Sequence, residues 1–232
     1  MKILKNFVVF EGCDGSGTTT QIGILEDSFR HNSSRLSLPS LYTTFEPTNG
    51  SIGTIIRSAL RGEVDLAPKT VALLFAADRN EHIYGSDGIV ERCGRGELVV
   101  SDRYLPSSLV YQGITCGEEL PAMLNRDFPA PELLLFFDID PETAQKRIAG
   151  RKHRDIYEYT NFQVQVRERY KAILPDFSAA GVKVQTIDAS RTPEEVGAEV
   201  WAAIENMALV SKYSHPSPEI SPAPAAEGPV PC

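Results

Sequence analysis

The sequence predicts an α/β protein built on a buried parallel sheet flanked by helices, and three observations lead there. Five short apolar or β-branched runs alternate with longer stretches in which apolar residues recur at helical spacing. Two of those runs, FVVF and LLLFF, are apolar throughout rather than every second residue, the pattern of strands covered on both faces. The composition, 42% hydrophobic and 23% charged over 232 residues, suits a soluble chain with one large domain and too little length for two.

The elements follow in order. FVVF at 7–10 reads as the first strand, and the segment 18–31 behind it as the first helix. LYTTF at 41–45 is the second strand, followed by helical spacing over 51–61, 68–85 and 87–94. ELVVS at 97–101 is the third strand, with a helix at 106–113; LLLFFDI at 133–139 is the fourth, with a helix at 141–151. A helix at 157–174, the strand VKVQTI at 182–187 and a helix at 192–209 complete the domain. Pro141 and Pro193 stand in first helical turns, where a missing N–H leaves no bond unmade. From Tyr213 onward six prolines fall among Ser, Ala and Glu, a composition unable to supply helix or ladder hydrogen bonds. The expected division is a domain over 1–212 and a Pro-rich, disordered tail over 213–232.

With 23 Lys plus Arg against 31 Asp plus Glu, the formal charge of −8 disfavours nucleic acid or an anionic membrane surface as a partner. A phosphate-bearing ligand must then be met by local charge. Cys13, Cys93, Cys116 and Cys232 are widely spaced, which argues against a zinc ribbon or a disulfide framework and fits the cytoplasm. The N-terminal apolar stretch is too short for a signal peptide or a membrane span.

The strongest chemical signal is Gly12-Cys13-Asp14-Gly15-Ser16-Gly17-Thr18-Thr19, placed between the first strand and the first helix. It fits the phosphate-binding loop G-x-x-x-x-G-K-[ST] except at the lysine, where Thr18 stands. The glycines let backbone N–H groups turn toward phosphate oxygens, and the helix N-terminus adds its positive end. Gly12 through Thr20 are therefore the expected ATP-binding residues, with Thr19 a Mg²⁺ ligand. The third strand ends in Asp102-Arg103, at the carboxyl edge where open α/β sheets bind ligands. Asp102 suits Mg²⁺, and Arg103 offers a two-pronged donor to a phosphate.

These residues resemble the thymidylate kinases. The resemblance runs in order through FVVFEGCDGSGTTTQ, FEPTNGSIG, LLFAADRNEH, SDRYLPSSLVYQG and RIAGRKHRDIYEY. It implies a three-layer P-loop kinase fold with a lid segment and transfer of the γ-phosphoryl of ATP to dTMP. It also implies Mg²⁺, small-molecule nucleotides as the partners, and a homodimer. By the same resemblance, Phe75 stacks on thymine and Arg79, one helical turn on, donates to a thymine carbonyl. Ser107 and Ser108 bind the base and its surroundings, while Tyr111 and Gln112 wall the sugar. Asp14 lies close to the 3′-hydroxyl, Arg103 grips the acceptor phosphate, and Glu46 belongs to the substrate-binding Glu-Pro loop. Arg147, Arg151 and Arg154 of the lid, with Asp102, are the expected catalytic groups.

Three cations of the family pattern are replaced here: Thr18 for the loop lysine, Phe45 for an arginine before Glu-Pro, and Ile156 for a lid arginine. Arg154 and Arg57 are candidates to compensate. The replacements bear on rate and acceptor choice, and they set two alternatives beside dTMP phosphorylation. One is a kinase of this fold with another deoxynucleotide or deoxynucleoside acceptor; the other is a nucleotide-binding regulator.

Overall fold

The computed structural model describes residues 1–32, 38–149, 157, 160–207 and 210. The lid residues Arg151, Arg154 and Ile156 and the Pro-rich tail lie outside them. The five strands are β1 (Ile3–Gly12), β2 (Leu41–Phe45), β3 (Leu98–Asp102), β4 (Ala130–Asp138) and β5 (Lys183–Asp188). The helices among the described residues are α1 (Thr18–Asn32), α2 (Ser51–Leu60), α3 (Pro68–Tyr84), α4 (Ile89–Gly94) and α5 (Leu105–Cys116). They continue with α6 (Glu119–Asn125), α7 (Pro141–Ile148), α8 (Thr160–Ala179) and α9 (Pro193–Glu205).

All strands run parallel in the order β2-β3-β1-β4-β5. The apolar runs lie inside the sheet: Phe7 to Phe10, Leu98 to Val100 and Leu133 to Phe137 are buried and form one core with Leu25, Tyr170, Phe177 and Val200 of the covering helices. Asn6, at a positive φ of 65°, shifts the β1–β4 register between Leu4 and Val8, so β1 is longer than its apolar run.

Several boundaries differ from the sequence reading, each for a local reason. The helix expected over 87–94 begins at Ile89, after Gly85, Asp87 and Gly88 have turned the chain. That expected over 106–113 runs to Cys116 and stops where Gly117 takes a φ of 87°. Pro175 does not end α8, which continues to Ala179 because Leu174 and Phe177 on either side are buried. Helix α6, seven residues long, was too short to show a period and was not expected. Helix α9 begins with the reciprocal bonds of Thr192 and Glu195, the former accepting the Glu195 N–H.

Because β1 is central, with β3 and β4 beside it, the loop after β1 and the Asp102-Arg103 pair after β3 emerge at the same sheet edge. That edge carries the site.

Candidate active site

The buried run of β1 ends at Gly12, and the chain turns through Cys13–Gly17 into α1. Ser16 N–H closes the turn on the Cys13 carbonyl at 3.1 Å. Gly15 and Gly17 take φ values of 88° and 94°, where a Cβ is disfavoured. At Gly15 a Cβ would also stand 2.5 Å from the Ala144 carbonyl oxygen of α7, so the loop is packed as well as bent. The first-turn N–H groups of α1 open on a polar cavity of about 470 Å³. Thr18 is buried on its wall, and the cations that border it among the described residues are Arg103, Arg147 and Arg191. Arg191 pairs with Glu199 and donates from Nε to the Asp188 carbonyl at 3.2 Å. It follows β5 at the ligand-binding edge, the signal by which the sequence reading could have found it.

Thr19 Oγ1 donates to Asp102 Oδ2 at 2.6 Å, while Asp102 Oδ1 is buried without a hydrogen-bond partner among the described residues. A buried carboxylate oxygen left open beside a hydroxyl suits a hard divalent cation. Among the described residues no cluster of three His, Cys, Asp or Glu surrounds it. Thr19 and Asp102 therefore fit Mg²⁺, which takes few protein ligands and completes its shell from phosphate and water.

Arg103 occupies the junction of the site. Its φ is 69°, and its backbone is held by an N–H bond to the Phe10 carbonyl at 2.9 Å and by Ser101 Oγ donating to its carbonyl at 2.7 Å. Nη2 donates to Asp14 Oδ1 at 2.6 Å; Nη1 donates to the Gly12 carbonyl at 3.0 Å and Ser107 Oγ at 3.2 Å. The guanidinium lies 5.1 Å from the Tyr111 ring centroid. Asp14 Oδ2 receives Gln163 Nε2 at 2.6 Å and the Tyr111 hydroxyl at 3.3 Å, and Gln163 Oε1 accepts the Asp14 N–H at 3.0 Å. Gln163, fully buried on α8, was missed because its partner is 149 residues away.

Burial and the neighbouring Asp14 push the Cys13 thiol up to about 11, so this loop cysteine is no nucleophile at neutral pH. Burial also raises the phenols of Tyr111 and Tyr170 well above their ordinary value and keeps both as hydrogen-bond donors.

On the other side of Arg103 lies a smaller, largely apolar cavity of about 120 Å³, bordered by Phe75 with Pro47, Leu60, Tyr104, Tyr111 and Tyr157. Phe75 and Arg79 of α3 both reach it. Arg79 is 1% exposed and donates to Glu46 Oε2 from Nε at 2.9 Å and Nη2 at 2.6 Å, to Ser108 Oγ at 3.0 Å, and to Asn125 Oδ1. The second Nη1 N–H has no hydrogen-bond partner among the described residues. Glu46 meets His82 Nδ1 with its other oxygen at 3.1 Å, so it shapes the pocket through Arg79 and His82. Gln112 Oε1 is buried in the wall without a hydrogen-bond partner among the described residues. Asp78 anchors the Glu-Pro loop by accepting Thr48 N–H and Oγ1–H, both at 2.7 Å. Arg57 donates to the Pro47 carbonyl at 2.7 Å. Phe45, 42% exposed, borders an outer cleft that reaches Thr19, Asp102 and Arg103.

The structure thus brings Asp14, Asp102, Arg103, Ser107, Tyr111 and the phosphate loop together, with Arg147 at the rim. Residues 10–200 match the family model described as thymidylate kinase. A protein of Treponema pallidum named provisionally as a thymidylate kinase is 45% identical over 174 residues, 75% of this chain and 81% of the relative. Similarly named proteins of Pyrobaculum aerophilum and Methanocaldococcus jannaschii are 42% identical over 204 residues and 35% over 202. Each spans 87% of this chain, and 97% and 96% of the respective relative.

Proposed function

The chain belongs to the thymidylate kinase family, and from that premise we infer that it transfers the γ-phosphoryl group of ATP to dTMP, giving dTDP and ADP. The observation that carries the reading is that Asp14 and Arg103 border both cavities. A polyphosphate on the loop and a monophosphate carried by a nucleoside in the aromatic pocket would meet at those two residues. An oxygen of the acceptor phosphate then attacks the γ-phosphorus in line while the bond to the β–γ bridging oxygen breaks. Positioning and charge stabilisation supply most of the catalysis in such a transfer.

For the individual residues we propose the following roles. The Arg103 guanidinium receives the acceptor phosphate, and Asp14 orients that arginine and faces the sugar. Phe75 stacks on the base, the remaining Arg79 N–H and the open Gln112 oxygen meet its polar edge, and Tyr111 limits space at the 2′ position. Mg²⁺ on Thr19 and Asp102 would neutralise charge on the donor phosphates. With Thr18 uncharged, Arg147, Arg151 and Arg154 are the cations assigned to cover the γ-phosphoryl group.

An acceptor other than dTMP is not favoured, because the family model and the similar proteins are those of thymidylate kinases, nor is a regulator without turnover, because the Asp102 carboxylate and the Arg103 guanidinium are groups that turnover would use. Among the described residues no helix is long and apolar enough to cross a membrane. We propose a cytoplasmic homodimer with no nucleic-acid partner, a single kinase domain over 1–212 and a tail over 213–232. Exposed Ile55 and Leu73, on the mutually packed α2 and α3, support the dimer, which light scattering tests. The activity is tested with purified protein, ATP, Mg²⁺ and a panel of nucleosides and monophosphates. Turnover of another acceptor but not dTMP would overturn the reading.

A further inference from the structure

Beneath the junction lies a carboxylate that lines neither cavity. Glu11 is fully buried in β1, directly before Gly12. Its Oε1 accepts the backbone N–H groups of Tyr104 at 2.9 Å and Ser107 at 3.2 Å. It thereby caps the first turn of α5, whose own N-cap residue, Tyr104, makes no side-chain cap. Its Oε2 accepts the hydroxyls of Ser107 and Tyr170, each at 2.7 Å. A negative charge inside an apolar strand is tolerated only with such partners.

The two hydroxyls have a second role. Arg103 Nη1 lies 3.2 Å from Ser107 Oγ and 3.4 Å from the Tyr170 hydroxyl. A hydroxyl has one hydrogen, so each group that donates to Glu11 turns only lone pairs toward Arg103. Arg103 meanwhile holds a φ of 69°, a region a side chain with a Cβ rarely adopts, immediately before the turn that Glu11 caps.

We propose that Glu11 is a positioning residue for phosphate recognition: it fixes the direction of the Ser107 and Tyr170 hydroxyls and the backbone of the following turn, and so holds Arg103 ready for the acceptor phosphate. Through Tyr170 this ties α8, the helix that follows the lid, to the phosphate grip. The proposal rests on the reading of dTMP as acceptor. It extends that reading to a residue remote from the substrate.

Glu11→Gln is nearly isosteric and reverses the polarity of one side. Its oxygen still caps Tyr104 and Ser107, but its amide N–H groups meet the two hydroxyls, which must accept and are freed to turn their hydrogens toward Arg103. Tyr170→Phe removes one of the two hydroxyls with no new charge. The experiment is calorimetric titration of thymidine, dTMP and ATP into wild type and each variant at about pH 8, above the pKa of about 7 to which burial raises Glu11. The ratio of the thymidine Kd to the dTMP Kd isolates recognition of the phosphate. In Glu11→Gln that ratio should shrink by about tenfold or more while thymidine and ATP affinities stay within about twofold. In Tyr170→Phe it should shrink by about threefold.

An unchanged ratio in folded Glu11→Gln, or equal losses for all three ligands with a lower Tm, would overturn the proposal. If Glu11→Gln does not fold, an unchanged ratio in Tyr170→Phe overturns it. A wild type that binds dTMP no better than thymidine overturns the acceptor reading and the proposal with it, whereas a wild type with the preference and variants that keep it overturn the proposal alone.

Discussion

At Arg103 a strained backbone, a carboxylate partner and a place on both cavities coincide. Arg103→Ala should cost about 2 to 5 kcal/mol of transition-state stabilisation, read as kcat/KM for dTMP, and a variant within about threefold of wild type would mean that another cation holds the phosphate. Arg57 is the candidate substitute, but it is bonded to the Pro47 carbonyl. Glu11 yields a prediction of a different kind. Burial, the largest influence on it, lifts its pKa from 4.5 to about 7, against the opposing pull of Arg103 and the hydrogen bonds from Ser107 and Tyr170. The folded state then holds a proton that the unfolded chain has released, so Glu11's contribution to stability is full below about pH 4.5 and disappears as pH rises through about 7. The unfolding free energy of Glu11→Gln, measured by urea titration, should therefore gain on wild type between about pH 5 and pH 8, and a constant difference would contradict the shift.

At the scale of elements, the phosphate loop is tightly constrained and short of positive charge. Gly15→Ala would put a methyl group 2.5 Å from the Ala144 carbonyl oxygen at a φ of 88°. The loop must move away from α7, and ATP affinity should fall by about tenfold or more by calorimetry, with dTMP affinity nearly unchanged. Unaltered ATP binding would show that the loop yields without losing its cradle. The absent loop lysine leads instead to the lid, where positive charge would arrive on closure. At least one of Arg151→Ala and Arg154→Ala should lower kcat by about 100-fold or more, with little effect on ATP binding. Thr18→Lys should partly rescue that variant. Full activity in both lid variants, or no rescue in a folded double variant, would mean that another group offsets Thr18. The strands were legible from their apolar runs, whereas α6 and the end of α8 were not, since seven residues hold barely two helical turns and buried Phe177 outweighs the break expected at Pro175.

At the scale of the whole molecule, residues 1–212 should be self-sufficient. Removing 213–232 should leave Tm and kcat nearly unchanged, because a segment with six prolines and few apolar side chains has little to bury. A marked fall in either would show that the tail packs on the domain. The sequence by itself determined the α/β class, the phosphate loop, the Asp102-Arg103 pair and the family, since periodicity, glycine and motif order are local properties of the chain. Strand order and the wiring of the site were decided only by the tertiary structure. Arg103 lies 89 residues from Asp14, Gln163 lies 149 from Asp14, and Tyr170 lies 159 from Glu11. No local pattern links such partners. They meet because β1 takes the centre of the sheet, which brings the ends of β1 and β3 to one edge beneath α8, where each buried polar group must find whatever partner the packing supplies.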